Sequence, residues 1–133
     1  MAVDWPHETG TIDGRRDIVL WWEARRFRFN LWLVAAGIAT WILVLVAGSA
    51  AVEPGVDFEE PVFMIMGSFG FWIIANVCYT AVWIVDLILS LDKGRERAFK
   101  MFLIFWMTVA VLPGLWAVVA FIITLITGKK LDE

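Results

Sequence analysis

Asn76, Tyr79, Thr80, Trp83, Asp86 and Ser90 are the polar side chains of this 133-residue chain that fall together within one apolar stretch. They recur at the three- and four-residue steps of one helix face, and the stretch runs from Pro61 to Leu91. An amide, a phenol, a hydroxyl and a carboxylic acid on one side of a membrane-length segment could relay protons or line an ion path. They could also bond helices to one another, because lipid satisfies no polar group. Asp86 separates the two readings. It is the only charged residue placed within an apolar stretch, yet Asp92 and the basic turn follow only six residues later, about 9 Å along a helix. A structural ion pair with Arg95, Arg97 or an arginine of the first flank therefore outweighs proton transfer. Asn76 lies deeper, and with Tyr79 and Thr80 it suits an interhelical network that fixes register.

Composition narrows the class. The hydrophobic fraction is 61%, against roughly 45–50% in soluble domains, and the mean hydropathy is +0.77. The charged residues cluster between apolar stretches, so the net charge of −3 says little about partners. A single cysteine, Cys78, excludes an internal disulfide or a cysteine-rich metal site. It falls off the polar face and reads as a small apolar filler. The single histidine, His7, lies in the N-terminal tail. No intramembrane histidine can ligate haem, chlorophyll or a metal, so no cofactor is expected, and pigment or lipid could be met only at the periphery. No nucleophile–base pair or phosphate loop accompanies the stripe, which leaves an enzyme without support. Nucleic acid is not an expected partner.

The elements that must position the stripe follow from hydropathy. Residues 1–17 read as a polar cytoplasmic tail, broken by Pro6, Gly10 and Gly14, without the basic start of a signal peptide. Asp17 is the predicted N-cap of a helix from Ile18. Residues 18–29 mix aromatics with arginine and read as an interfacial amphipathic helix. In it Trp21, Trp22, Arg25, Arg26 and Arg28 sit at headgroup level, where they read as an ordinary topology anchor of the span and, compatibly with that, as a contact for anionic lipid. Residues 30–51 form a first span of about 33 Å, and residues 52–60 an acidic outer loop. Residues 61–91 are the second span and 92–100 a basic cytoplasmic loop. Residues 101–127 are a third span kinked at Pro113 and Gly114, with a re-entrant hairpin as the rival reading. Residues 128–133 are a C-terminal tail. The fold class is an all-α integral membrane protein with three transmembrane helices preceded by an interfacial segment.

Trp21–Trp22–Glu23 with Arg25 to Leu31, and Asn76 to Thr80 with Trp83 and Asp86, resemble small multi-span bacterial inner-membrane proteins of uncharacterised function. The resemblance covers roughly half the chain and implies no activity. Nine tryptophans and ten phenylalanines are more rings than three helices can enclose, so many must meet lipid or protein. The expected function is a non-catalytic accessory or structural subunit of a larger inner-membrane complex, photosynthetic or respiratory in type, or a homo-oligomer. Membrane lipids, anionic ones included, and other membrane subunits are the expected partners. Two other classes fit the same residues. One is a small transporter or channel lined by the polar face, the other a lipid-binding or membrane-shaping protein.

Orientation follows from the basic residues. Arg15, Arg16, Arg25, Arg26, Arg28, Lys93, Arg95, Arg97 and Lys100 lie on one side, with only Lys129 and Lys130 on the other. The excess predicts a cytoplasmic N-terminus and a periplasmic C-terminus. A C-terminal reporter that works only outside the cytoplasm should be active. One active only inside would reverse the assignment.

Overall fold

The computed structural model describes residues 14–90 and 93–131, and their regular structure is entirely helical. Three long helices make it up: α1 (Arg15–Ala51), α2 (Pro61–Leu89) and α3 (Arg95–Thr127). With 37, 29 and 33 residues they measure roughly 55, 43 and 50 Å. Each is long and apolar enough to cross a bilayer. In such a setting a helix satisfies every backbone N–H and C=O within its own segment.

Several expected boundaries move. The expected tail lies outside the described residues as far as residue 13, as do Leu91, Asp92 and the last two residues. Segments 18–29 and 30–51 are one helix with no break at Asn30. It begins at Arg15, so Asp17 sits in its first turn and Gly14 takes the N-cap. No glycine or proline interrupts the chain from Arg15 to Ala36. Ile18, Trp22 and Phe29 are buried against the other helices, whereas a helix lying in the interface would give that face to lipid. α3 likewise takes in Arg95 to Lys100, and the basic loop shrinks to a turn. α3 also runs unbroken through Pro113, which removes the hairpin reading. The Thr40 hydroxyl donates to the Ala110 carbonyl, three residues before the proline, at 2.7 Å. A neighbouring helix thereby supports backbone acceptors near the proline.

α1 is the spine. It runs parallel to α3, and the residues that meet (Thr40 with Ala110, Ala51 with Thr124) stand 70 to 73 positions apart in sequence. Their C-terminal halves approach closely because α3 presents Gly114, Ala117, Ala120 and Thr124, all buried. Small residues let backbones come together where lipid supplies no hydrophobic drive. Near its end α1 contains a π turn, Val44–Gly48, and the Phe58 ring lies so close to Gly48 that a Cβ there would stand 2.7 Å from it. The C-terminus of α1 is capped in trans. Lys130 Nζ donates to the Ala50 carbonyl at 2.6 Å, and the Leu131 N–H donates to that of Ala51 at 3.1 Å. A cation there complements the helix dipole.

α2 is antiparallel to α1 and is held mainly through side chains. Pro61 occupies its first turn, where no N–H is needed. It meets α3 through rings, Phe71 on Trp106 and Tyr79 on Phe99 and Phe102. No residue from Pro61 to Ile74 is buried.

A Cβ at Gly114 would lie 3.0 Å from the Leu43 side chain and 3.2 Å from the Thr40 backbone, while one at Gly70 meets nothing within 4 Å. Gly114→Leu should therefore weaken the bundle by about 1–3 kcal/mol, and Gly70→Leu should change it little. Equilibrium unfolding in mixed micelles separates them. Equal losses at both positions would refute the close α1–α3 contact.

Candidate functional site

Asp86 lies at the centre of the site, with 2% of its surface exposed. Each of the other two helices supplies it with a partner. From α1, the Trp22 indole Nε1 donates to Oδ2 at 2.7 Å. From α3, Arg95 donates Nε to the same oxygen and Nη2 to Oδ1, the latter at 3.3 Å. Arg95 is itself 3% exposed, so this is an enclosed ion pair. Of the arginines that the sequence offers to Asp86, the fold uses Arg95. Arg95 occupies the first turn of α3, whose helical start points its side chain back beneath α2.

Rings wall off the pair. Trp22 packs edge-on against Trp21, Tyr79 and Phe99, with centroids 5.1, 5.5 and 6.1 Å away. Phe29 stacks on Tyr79 at 4.9 Å. The buried phenol of Tyr79 donates to the Trp22 carbonyl at 2.6 Å, which couples α2 to the backbone that carries the indole.

The other stripe residues divide. Asn76 exchanges two amide hydrogen bonds with Asn30 of α1, at 3.1 and 2.8 Å. The Thr80 hydroxyl accepts from Arg26 Nη2 at 3.1 Å and donates to the Asn76 carbonyl at 3.0 Å. Trp83 packs against the core cluster, and its buried indole N–H has no partner among the described residues. Ser90 leaves the site. It is exposed and ends α2 in the left-handed conformation, φ 49°. Asn76, Tyr79, Thr80 and Asp86 thus all bond to α1, and among the described residues no three His, Cys, Asp or Glu side chains converge on a metal site.

The expected lipid contacts change most. Trp22 is fully enclosed, so it meets no lipid. Arg25 stacks 3.7 Å over the half-buried Trp21 and pairs with Glu96 at 3.6 Å. Arg26 pairs with Glu23 at 2.8 Å and with Thr80. Arg28 alone of the three arginines is exposed with no ionic partner among the described residues. The physical reason is the continuous α1, which turns Trp22, Arg25 and Arg26 toward its neighbours. Pro113 is exposed within α3 and Gly114 buried.

Trp22 and Asn30 are the site residues whose roles single-face reasoning missed. A signal existed for Trp22. Ile18, Trp22, Phe29, Leu33, Thr40 and Val44, all buried, step alternately by four and seven. Eleven residues make nearly three helical turns, so these positions share one face. Arg95 is among the arginines that the sequence offers to Asp86, and the choice among them depends on where α3 begins.

No protein-family model matches this chain, nor does any curated protein or solved structure. The site's own geometry therefore carries the reading. Its polar atoms face one another across helix boundaries, an arrangement that fixes three helices in one register.

Removing one member of a buried pair strands the other charge, at about 3–5 kcal/mol, while replacing both with apolar residues is often close to neutral. Asp86→Leu and Arg95→Leu should each destabilise strongly, and the double substitution should recover much of the loss. Asp86→Asn should be milder than Asp86→Leu. A double-mutant cycle by unfolding in micelles reads this, and additive single effects would remove the pair from its central place.

Proposed function

We propose that the chain is a non-catalytic, multi-pass protein of the bacterial inner membrane that acts as an accessory subunit of a larger membrane assembly. Its N-terminus is cytoplasmic and its C-terminus periplasmic. The observation that carries this reading is the engagement of the polar stripe. Both oxygens of Asp86, the paired amides of Asn30 and Asn76, and the hydroxyls of Tyr79 and Thr80, the last accepting from Arg26, are taken up in holding α2 to α1 and α3. A proton or ion route through Asp86 would require that pair to open, which strands a buried guanidinium.

What remains outward is apolar and aromatic. Phe63, Phe69 and Trp72 on α2, Trp32 on α1 and Trp116 on α3 are all exposed. Aromatic rings are enriched where proteins meet partners. α2 contributes the largest share, because none of its first fourteen residues is buried. A helix so lightly held offers its free sides to neighbouring subunits, and lipid covers what they leave.

Gentle extraction of the native protein, followed by mass determination of what purifies with it, tests this. The expected outcome is a heteromeric complex that survives in mild detergent and is lost on substituting Phe69 and Trp72 with alanine, while the isolated chain keeps its helicity. A monomer throughout would overturn it. So would a closed homo-oligomer with a cation flux that disappears in Asp86→Asn at unchanged size.

A further inference from the structure

α2 and α3 diverge around the buried pair and leave a cleft of about 210 Å³. Its walls are Ala81, Val82 and Val85 of α2 and Ala98 of α3, and its floor is Trp22, Asp86 and Arg95. The floor's polar atoms face one another, so the surface that the cleft exposes is apolar. Its flank differs from the rest of this end of the molecule. α1 carries charge as far as Arg28 and α3 as far as Lys100. α2 by contrast presents exposed Ile84, Val85, Ile88 and Leu89 down to the turn that joins it to α3. At the level where two helices are charged, the third keeps an apolar side, and the cleft opens beside it. Lys93 stands in the turn two residues before Arg95 of the cleft floor, exposed and without an ionic partner among the described residues.

We propose that this cleft holds one acyl chain of an anionic phospholipid, with the lipid phosphate met by Lys93. An apolar hollow open to a bilayer fills with hydrocarbon, because water gains no hydrogen bonds in it and a void forfeits contact with the atoms that line it. The volume accommodates a run of several methylenes. Alanine at positions 81 and 98 leaves the space between the walls open, where larger side chains would fill it. The apolar flank of α2 carries the hydrocarbon boundary down to this level. Charge selects the lipid. At this end Arg15, Arg16, Arg28, Lys93 and Arg97 have no ionic partner among the described residues, so the nearby leaflet is drawn toward anionic headgroups. The site differs from the arginine–tryptophan contact read from the sequence, whose Arg25, Arg26 and Trp22 are engaged within the bundle. It depends on the chain crossing a membrane and not on any partner subunit.

Native mass spectrometry of the purified full chain in an uncharged detergent tests the site, with phosphatidylglycerol and phosphatidylcholine of identical chains added in turn. One phosphatidylglycerol should be retained, about fivefold more tightly than phosphatidylcholine for one lysine near the headgroup. Ala81→Leu with Val85→Phe, both at exposed positions, should fill the cleft and remove the retained lipid of either kind. Lys93→Gln should keep a lipid but lose the preference for phosphatidylglycerol. Arg28→Gln, away from the cleft, should change neither. Circular dichroism and melting temperature should match the parent in every variant, and Ala81→Leu alone serves if the double variant melts early. Lipid retained equally by the cleft-filled variant would overturn the proposal. Loss of a co-purifying protein with lipid retention intact would overturn it too, in favour of a partner side chain in the cleft.

Discussion

A carboxylate enclosed among three helices persists only if the other two bring donors to it at the same height. Asp86 meets that condition through Trp22 on α1 and Arg95 on α3. Such a pair adds little net stability, since desolvation offsets most of its attraction. Its effect is on register. Slide any helix by one turn and a charge or an indole N–H is left without its partner in a low-dielectric interior, at a cost of several kcal/mol. Alternatives are penalised more than the native arrangement is favoured, and that gap selects a single alignment.

Other contacts follow from that alignment. With Trp22 level with Asp86, antiparallel packing brings Arg26 to Thr80 and Asn30 to Asn76 in successive turns. The Trp22 carbonyl falls within reach of Tyr79. The rings fill the space between helices that polar contacts alone would leave open, Phe29 on Tyr79 and Phe102 above it. Large aromatic side chains hold the helices apart at this end. Small residues on α3 draw α1 in at the other, where Gly114, Ala117 and Ala120 are buried. The two ends thus pack by opposite means, and α2 is fastened chiefly at one of them, its further ties being Trp41 Nε1 to Ser68 Oγ at 3.1 Å and Phe71 on Trp106.

That imbalance connects structure to the proposed role. A helix tied chiefly along its C-terminal half, with no buried residue from Pro61 to Ile74, presents apolar surface to its surroundings. The divergence of α2 from α3 that opens the cleft has the same origin, because the side chains bridging them are long: Tyr79 to Phe99 and Asp86 to Arg95. Helices joined by long side chains stand further apart than helices joined by glycine and alanine.

The class and the number of helices were legible in the hydropathy pattern alone. Apolar stretches of membrane length have one stable backbone solution, and Pro61, Glu59 and Glu60 mark the start of α2 without ambiguity. The sequence also determined that one face of α2 is polar, since the three- and four-residue steps survive any choice of neighbours. It could not assign that face its partners. The spacing allowed Asp86 a choice of Arg95, Arg97 or an arginine of the first flank, and the start of α3 at Arg95, in place of a loop as far as Lys100, decided which one reaches it. Nor could it show that Trp22 and Arg25 turn inward, because tryptophan and arginine mark a headgroup boundary and a buried cluster equally well. Periodicity is a property of one helix and is written along one segment. Partnership depends on the relative height and rotation of three segments, and only tertiary packing sets those.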